Sequence, residues 1–102
     1  MKLYDMRTSP SLGKWGRMHK LFLMKNQPEV FAELVRNGNL NSYLRAMNRQ
    51  AQERMNLMMK QGIAYRGMTE ELKKQNPMEW VRQMNAIRVA AEEIVKEEII
   101  YR

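Results

Sequence analysis

After Pro77 the chain runs to Ile100 without a glycine or another proline, and Trp80, Val81, Met84, Ile87, Arg88, Ala91, Ile94, Val95 and Ile99 recur at the spacing of one helical face. Asn76-Pro77-Met78-Glu79 supplies the start, a variant of the capping box with Asn as cap, Pro at the first helical position and Glu at the third. Glu92 and Lys96 add an i,i+4 pair further along. At ~1.5 Å per residue this helix is ~36 Å long, comparable with the whole diameter of a 100-residue globule. It must span the molecule or project from it, and its apolar stripe needs other helices as cover.

The rest of the chain provides them. Trp15, Met18, Phe22 and Leu23 recur at helical spacing, with Lys14, Arg17, Lys20 and Lys25 around the opposite side. Asn26-Gln27 interrupts this first helix and Pro28 opens a second, which carries Val30, Phe31, Leu34 and Val35. Asn37-Gly38-Asn39 ends it, since Gly38 can adopt the left-handed closing conformation. A long third helix follows as far as Gly62, its stripe formed by Leu40, Tyr43, Leu44, Met47, Ala51, Met55, Met58 and Met59, with Asn39 or Asn41 as N-cap. Gly62 to Gly67 reads as a loop, and Thr69-Glu70-Glu71 caps a short helix ending at Gln75-Asn76. Only Lys2 to Met6 competes as an extended stretch. The expectation is an all-α fold: a compact single-domain bundle of four to five helices with a long C-terminal helix, residues 14–102, behind a short N-terminal leader, residues 1–13.

Cysteine is absent from the 102 residues, so stability must come from packed apolar side chains, as suits a reducing cytoplasm. No run approaches the ~18 apolar residues of a membrane span, and Met1 to Pro10 lacks a secretory apolar stretch. A cytoplasmic protein with no membrane partner is expected. Most of the 11 methionines fall where an adaptable side chain fills core gaps, the alternative being an adaptable binding surface. Trp15 and Trp80 read as core anchors before stacking platforms.

The sequence contains nothing arranged for catalysis. His19 is the lone histidine, beside the apolar stripe of the first helix, with no neighbour in sequence to orient it as a general base. Glu92-Glu93 and Glu97-Glu98 offer carboxylates without His or Cys, and read as a solvated face. Gly13-x-x-Gly16 lacks the preceding strand and following Lys-Ser/Thr of a phosphate-cradling loop. No enzyme activity, cofactor or metal is expected.

Charge points elsewhere. The net charge is +7, and the chain through Asn26 carries Lys2, Arg7, Lys14, Arg17, Lys20 and Lys25 against Asp5 alone. Such a basic front favours polyanions. Lys14, Arg17, Lys20 and Lys25 are candidates to track a phosphate backbone, the alternative being a solubilising face. At the start of the third helix Asn39, Asn41, Ser42, Arg45, Asn48 and Arg49 carry groups able to hydrogen-bond base edges, with Arg45, Asn48 and Arg49 the candidate readers. The second helix, Asn-Gly-Asn turn and third helix suggest a helix-turn-helix unit, although any tight αα-hairpin looks similar.

Lys14-Trp15-Gly16-Arg17-Met18 through Leu21-Phe22-Leu23, then Gly38-Asn39-Leu40 with Tyr43-Leu44, resembles the transposon-encoded TnpV family. Ala51-Gln52-Glu53-Arg54, Thr69 to Lys73, Trp80-Val81, Met84-Asn85, Ile87-Arg88, Ala91 to Val95 and Ile99-Ile100-Tyr101 continue the resemblance in order and spacing. No piece is a catalytic motif. The resemblance implies a small accessory protein of a bacterial mobile element, working around DNA or nucleoprotein; it departs from the usual pattern in its short segment before the basic helix. The leading expectation is a basic accessory or regulatory protein binding DNA or a nucleoprotein complex. The alternative is a helical protein-interaction module or inhibitor acting on a host nuclease or other protein partner, and the long last helix also permits a homodimer.

Overall fold

The computed structural model describes residues 12–102, so most of the expected leader, with Lys2, Arg7 and the Lys2 to Met6 stretch, lies outside the described residues. Helices α1 (Gly13–Asn26), α2 (Pro28–Arg36), α3 (Leu40–Tyr65), α4 (Glu70–Gln75) and α5 (Pro77–Val95) follow in order, and α5 continues into a π-helical turn over Lys96–Ile100. No strand occurs among the described residues.

Local signals explain most boundaries. Gly38 has φ +72°, its N–H donates to the Val35 carbonyl and that of Asn39 to Leu34, closing α2 in a Schellman motif. Gly67, φ +63°, closes α3 the same way through Gly67 to Ala64 and Met68 to Ile63. Thr69 Oγ1 accepts from the Leu72 N–H and Asn76 Oδ1 from the Glu79 N–H, so both expected caps form. Glu79 does not reach back to complete a box; its carboxylate takes Arg82 and Gln83 instead. Asn39 flanks α3 but makes no side-chain cap, and the Ser42 hydroxyl donates to the Asn39 carbonyl.

The loop expected from Gly62 is corrected: α3 runs to Tyr65. Gly62 is a contact point and not a breaker, because a Cβ there would stand 2.6 Å from Ile87 Cγ2 on α5. The missing side chain lets two helices approach, which outweighs the ~1 kcal/mol that glycine costs a helix interior.

Helices α3 and α5 form a long antiparallel pair, with Arg66 hydrogen-bonded to Gln83 at one end and Arg54 to Glu98 toward the other. Helix α1 packs against α3 and the π-helical turn, reaching the end of α5 through the Trp15 and Lys14 side chains, so the third layer covers only one end of the pair, and the molecule measures 55 × 29 × 19 Å. The core lies where the three meet: Trp15, Ala51, Met55, Ala91, Val95 and Ile100, with Met18, Met58, Met59 and Ile99 packed around them. Methionine does fill this core. Helix α2 buries no residue fully, Val30 and Val35 remaining about half exposed.

A polar clasp closes the core. His19 on α1 is 4% exposed; its Nδ1 lies 2.7 Å from the Ile100 carbonyl and its Nε2 3.0 Å from the Tyr43 hydroxyl. A carbonyl only accepts, so Nδ1 carries the hydrogen, and in the neutral ring Nε2 accepts from Tyr43. Burial raises the Tyr43 phenol above its ordinary value, which keeps that donor protonated. Phe22 stacks on the imidazole and meets Tyr101, and Gln27 donates to the Arg102 carbonyl, so the chain end is bound to α1. His19→Phe keeps the ring but leaves the Ile100 carbonyl and Tyr43 hydroxyl unpartnered. The expected loss is ~1–3 kcal/mol in a denaturant titration; an unchanged midpoint would refute the clasp.

Candidate nucleic-acid interface

Contacts between α1 and α3 run in opposite chain order. The Gly13 to Gly16 segment lies against Asn48, Gly16 also meets the Leu44 carbonyl, and His19 meets Tyr43. The helices are therefore antiparallel, and helical geometry then puts the residue following each contact residue, on both helices, along the same flank. On α1 those are Arg17 and Lys20, following Gly16 and His19; on α3 they are Arg45 and Arg49, following Leu44 and Asn48. One position before Gly16, His19, Leu44 and Asn48, Trp15 and Met18 on α1 and Tyr43 and Met47 on α3 lie on the opposite flank, toward α5 and its C-terminal turn, and from that side the Tyr43 hydroxyl reaches the His19 ring.

Arg17, Arg45 and Arg49 are exposed and Lys20 half-buried. Ion pairs among the described residues are Lys14–Glu92, Arg54–Glu98, Arg82–Glu79 and Lys96–Glu93, so none neutralises these four cations. Glu53, the nearest acid along α3, lies one turn past Arg49 on the same face, and no ion pair among the described residues joins the two.

The other candidates separate from this flank. Lys14 Nζ lies 2.7 Å from Glu92 on α5 and 4.9 Å from the Trp15 ring centroid, which ties it across the core. Lys25 borders a shallow depression with Met18, Phe22 and Tyr101, on the side of the chain end. Asn48, expected among the base readers, is corrected by its surroundings. Its Oδ1 accepts from the backbone N–H groups of Trp15 at 3.0 Å and Gly16 at 3.1 Å, and its carboxamide occupies the place a Cβ on Gly13 would take. It caps α1 from the middle of α3, a service that Leu12 at the N-cap position does not perform. The helix-turn-helix reading loses support as well, since α2 buries no residue fully and α3 is held by α1 and α5.

Sequence reasoning passed over Gly13-x-x-Gly16 as a failed phosphate loop. Its role is steric: Gly13 takes φ +76° and yields to Asn48, and a Cβ on Gly16 would stand 3.0 Å from the Leu44 carbonyl oxygen. Two small residues one turn apart signal a close helix contact, but not which helix approaches. Trp15 is a core anchor at 2% exposure, and Trp80, half-buried, lies under the Lys73 ammonium.

A family model described as transposon-encoded protein TnpV matches residues 1–100. The chain belongs to the TnpV family. Neither a curated protein nor a solved structure matches it. Family membership makes this TnpV chain a transposon-associated protein. Among its described residues no three His, Cys, Asp or Glu side chains cluster to hold a metal, and no helix is long and apolar enough to cross a membrane.

Two predictions separate structural from surface roles. Asn48→Ala removes the acceptor for two α1 N–H groups and should cost ~1–2 kcal/mol in thermal or chemical denaturation, whereas Arg45→Gln should change stability by less than ~0.5 kcal/mol. The Lys14 hydrogen bond, helped by the charges of Lys14, Lys96 and Arg88 and opposed by desolvation, holds the Glu92 carboxyl below its ordinary value. Because the folded value is the lower one, the stability from this pair is present above the unfolded carboxylate range and lost as pH falls through the folded value. Lys14→Met should move the Glu92 titration upward, read from its side-chain carbon shifts by NMR, and lessen this acid-dependent loss.

Proposed function

We propose that this TnpV protein is a cytoplasmic DNA-binding accessory or regulatory factor of its mobile element, acting by holding the duplex or its nucleoprotein complex and catalysing no reaction. The observation that carries the reading is the convergence of Arg17, Lys20, Arg45 and Arg49 on one flank of the α1/α3 pair, without an ion-pair partner among the described residues. Unpaired cations with a common orientation release counterions when they meet phosphates, and that release drives association. A merely solubilising face has no such requirement for convergence on both helices.

Binding should be salt-sensitive: with four phosphates neutralised, log K falls against log salt with a slope of about −3 to −4. Fluorescence anisotropy with a labelled duplex measures it. Replacing Arg17 and Arg45 together by Gln should flatten the slope by about 2, whereas Lys25→Gln should leave it within experimental error. Absence of salt-sensitive binding at low ionic strength would end the proposal.

A second reading, a protein-interaction module, is favoured by one observation. Away from the basic flank, α3 and α5 leave an apolar groove lined by Met58, Gly62, Tyr65, Ile87, Ala90 and Ile94, shaped for the apolar face of a helix. An Ala90→Arg variant, altered at an exposed position of the groove, that keeps its duplex affinity but no longer joins a reconstituted nucleoprotein complex would assign the groove that role.

A further inference from the structure

Resting on that reading, the structure also defines how the basic flank meets its ligand. A base-reading element needs two things: hydrogen-bonding groups free to address base edges, and a profile narrow enough to enter a groove. The α1/α3 flank has the first in Arg45, Arg49 and Asn41 but lacks the second.

Three polar side chains near the cations are engaged within the protein. Asn48 caps α1, Gln52 Nε2 donates to Asn56 Oδ1 at 2.9 Å, and the Ser42 hydroxyl donates to the Asn39 carbonyl. Asn41 at the start of α3 stays exposed, and the guanidinium and ammonium groups remain open. A guanidinium serves a phosphate or a guanine edge alike, so what it meets is decided by how deeply its helix can enter a groove.

Width decides the matter. Glycine contacts hold α1 and α3 at the close end of the usual interaxial range, ~8 Å, and each helix is ~10 Å across, so the pair presents ~18 Å. The major groove is ~12 Å wide and is filled by one helix. Were α3 to enter it, α1 would strike the phosphate ridge beside it. With Arg17 and Lys20 on one helix and Arg45 and Arg49 on the other, the pair instead lies across a groove and engages the backbones that border it.

We infer that the α1/α3 flank binds double-helical DNA through its phosphates without reading sequence, Arg17, Lys20, Arg45 and Arg49 bridging the sugar-phosphate backbones on either side of a groove. Arg45 and Arg49 are thus backbone contacts and not base readers.

Anisotropy titrations of the full chain with two duplexes of equal length and unrelated sequence, together with selection from a random-sequence duplex pool, test this. The expected result is equal affinity within about threefold, no enriched motif, and for Arg45→Gln or Arg49→Gln an equal loss on both duplexes with the salt slope reduced by about 1. A selected sequence bound about 10³-fold tighter than the pool, or an Arg49→Gln loss confined to one sequence, would overturn the inference while leaving DNA binding intact. Failure of every duplex to bind at low salt would overturn both. Both arginines are exposed and outside the core, so the variants are expected to fold, with helical circular dichroism as the check.

Discussion

Everything in this molecule depends on how closely α1 can lie on α3. Gly13 and Gly16 remove the side chains that would hold the helices apart, and Asn48 fills the opening with a carboxamide that terminates the orphan N–H groups of α1. Because the contact is built from backbone and one amide, it fixes rotation as well as distance. Rotation is what matters for the surface: turning α1 by one residue, ~100°, would drive Arg17 into the α3 contact in place of Gly16 and swing the Trp15 indole out of the core. The charge pattern outside and the apolar pattern inside are thus one constraint expressed on two faces.

The chain end supplies a second constraint on the same helix. Ile100 is fully buried, and its carbonyl, one of those a helix end leaves without an intrahelical partner, accepts from His19; the π turn before it is closed by the Tyr101 N–H donating to Lys96 at 2.8 Å. Lys14 and Glu92 secure the opposite end of α1 on α5. Helix α1 is consequently tied at its start to α3 and α5 and near its end to the C-terminal turn, while α2 beyond it remains lightly packed.

How much of this could be read in the sequence follows from the range of each signal. Pro28, Gly38, Thr69 and Asn76-Pro77 act on their own backbone neighbourhood, so element order and most boundaries were legible. Gly62 misled because a glycine in a helical pattern reads as a breaker unless the residue opposite it is known, and Ile87 is 25 positions away in a different helix. The same applies to Asn48, His19 and Lys14, whose partners lie 33, 81 and 78 positions off. Their types announced a polar role but not its direction. Periodicity placed Arg17 and Lys20 on one helix and Arg45 and Arg49 on another; only the antiparallel contact brings the two pairs together.

Net charge alone would not select a ligand, since +7 spread evenly would do little beyond keeping the protein soluble. Selection arises from which cations the fold neutralises. Lys14, Arg54, Arg82 and Lys96 are paired within the molecule, each with a carboxylate on α5 or its C-terminal turn, so the acidic residues of that element are largely occupied at home. The α1/α3 flank is left with positive charge and few nearby carboxylates. A surface of that kind attracts a polyanion over distances of the Debye length, ~8 Å at physiological salt, before any specific contact forms. On the proposed reading, affinity rests on the count and placement of cations, which a regular phosphate array meets along its whole length.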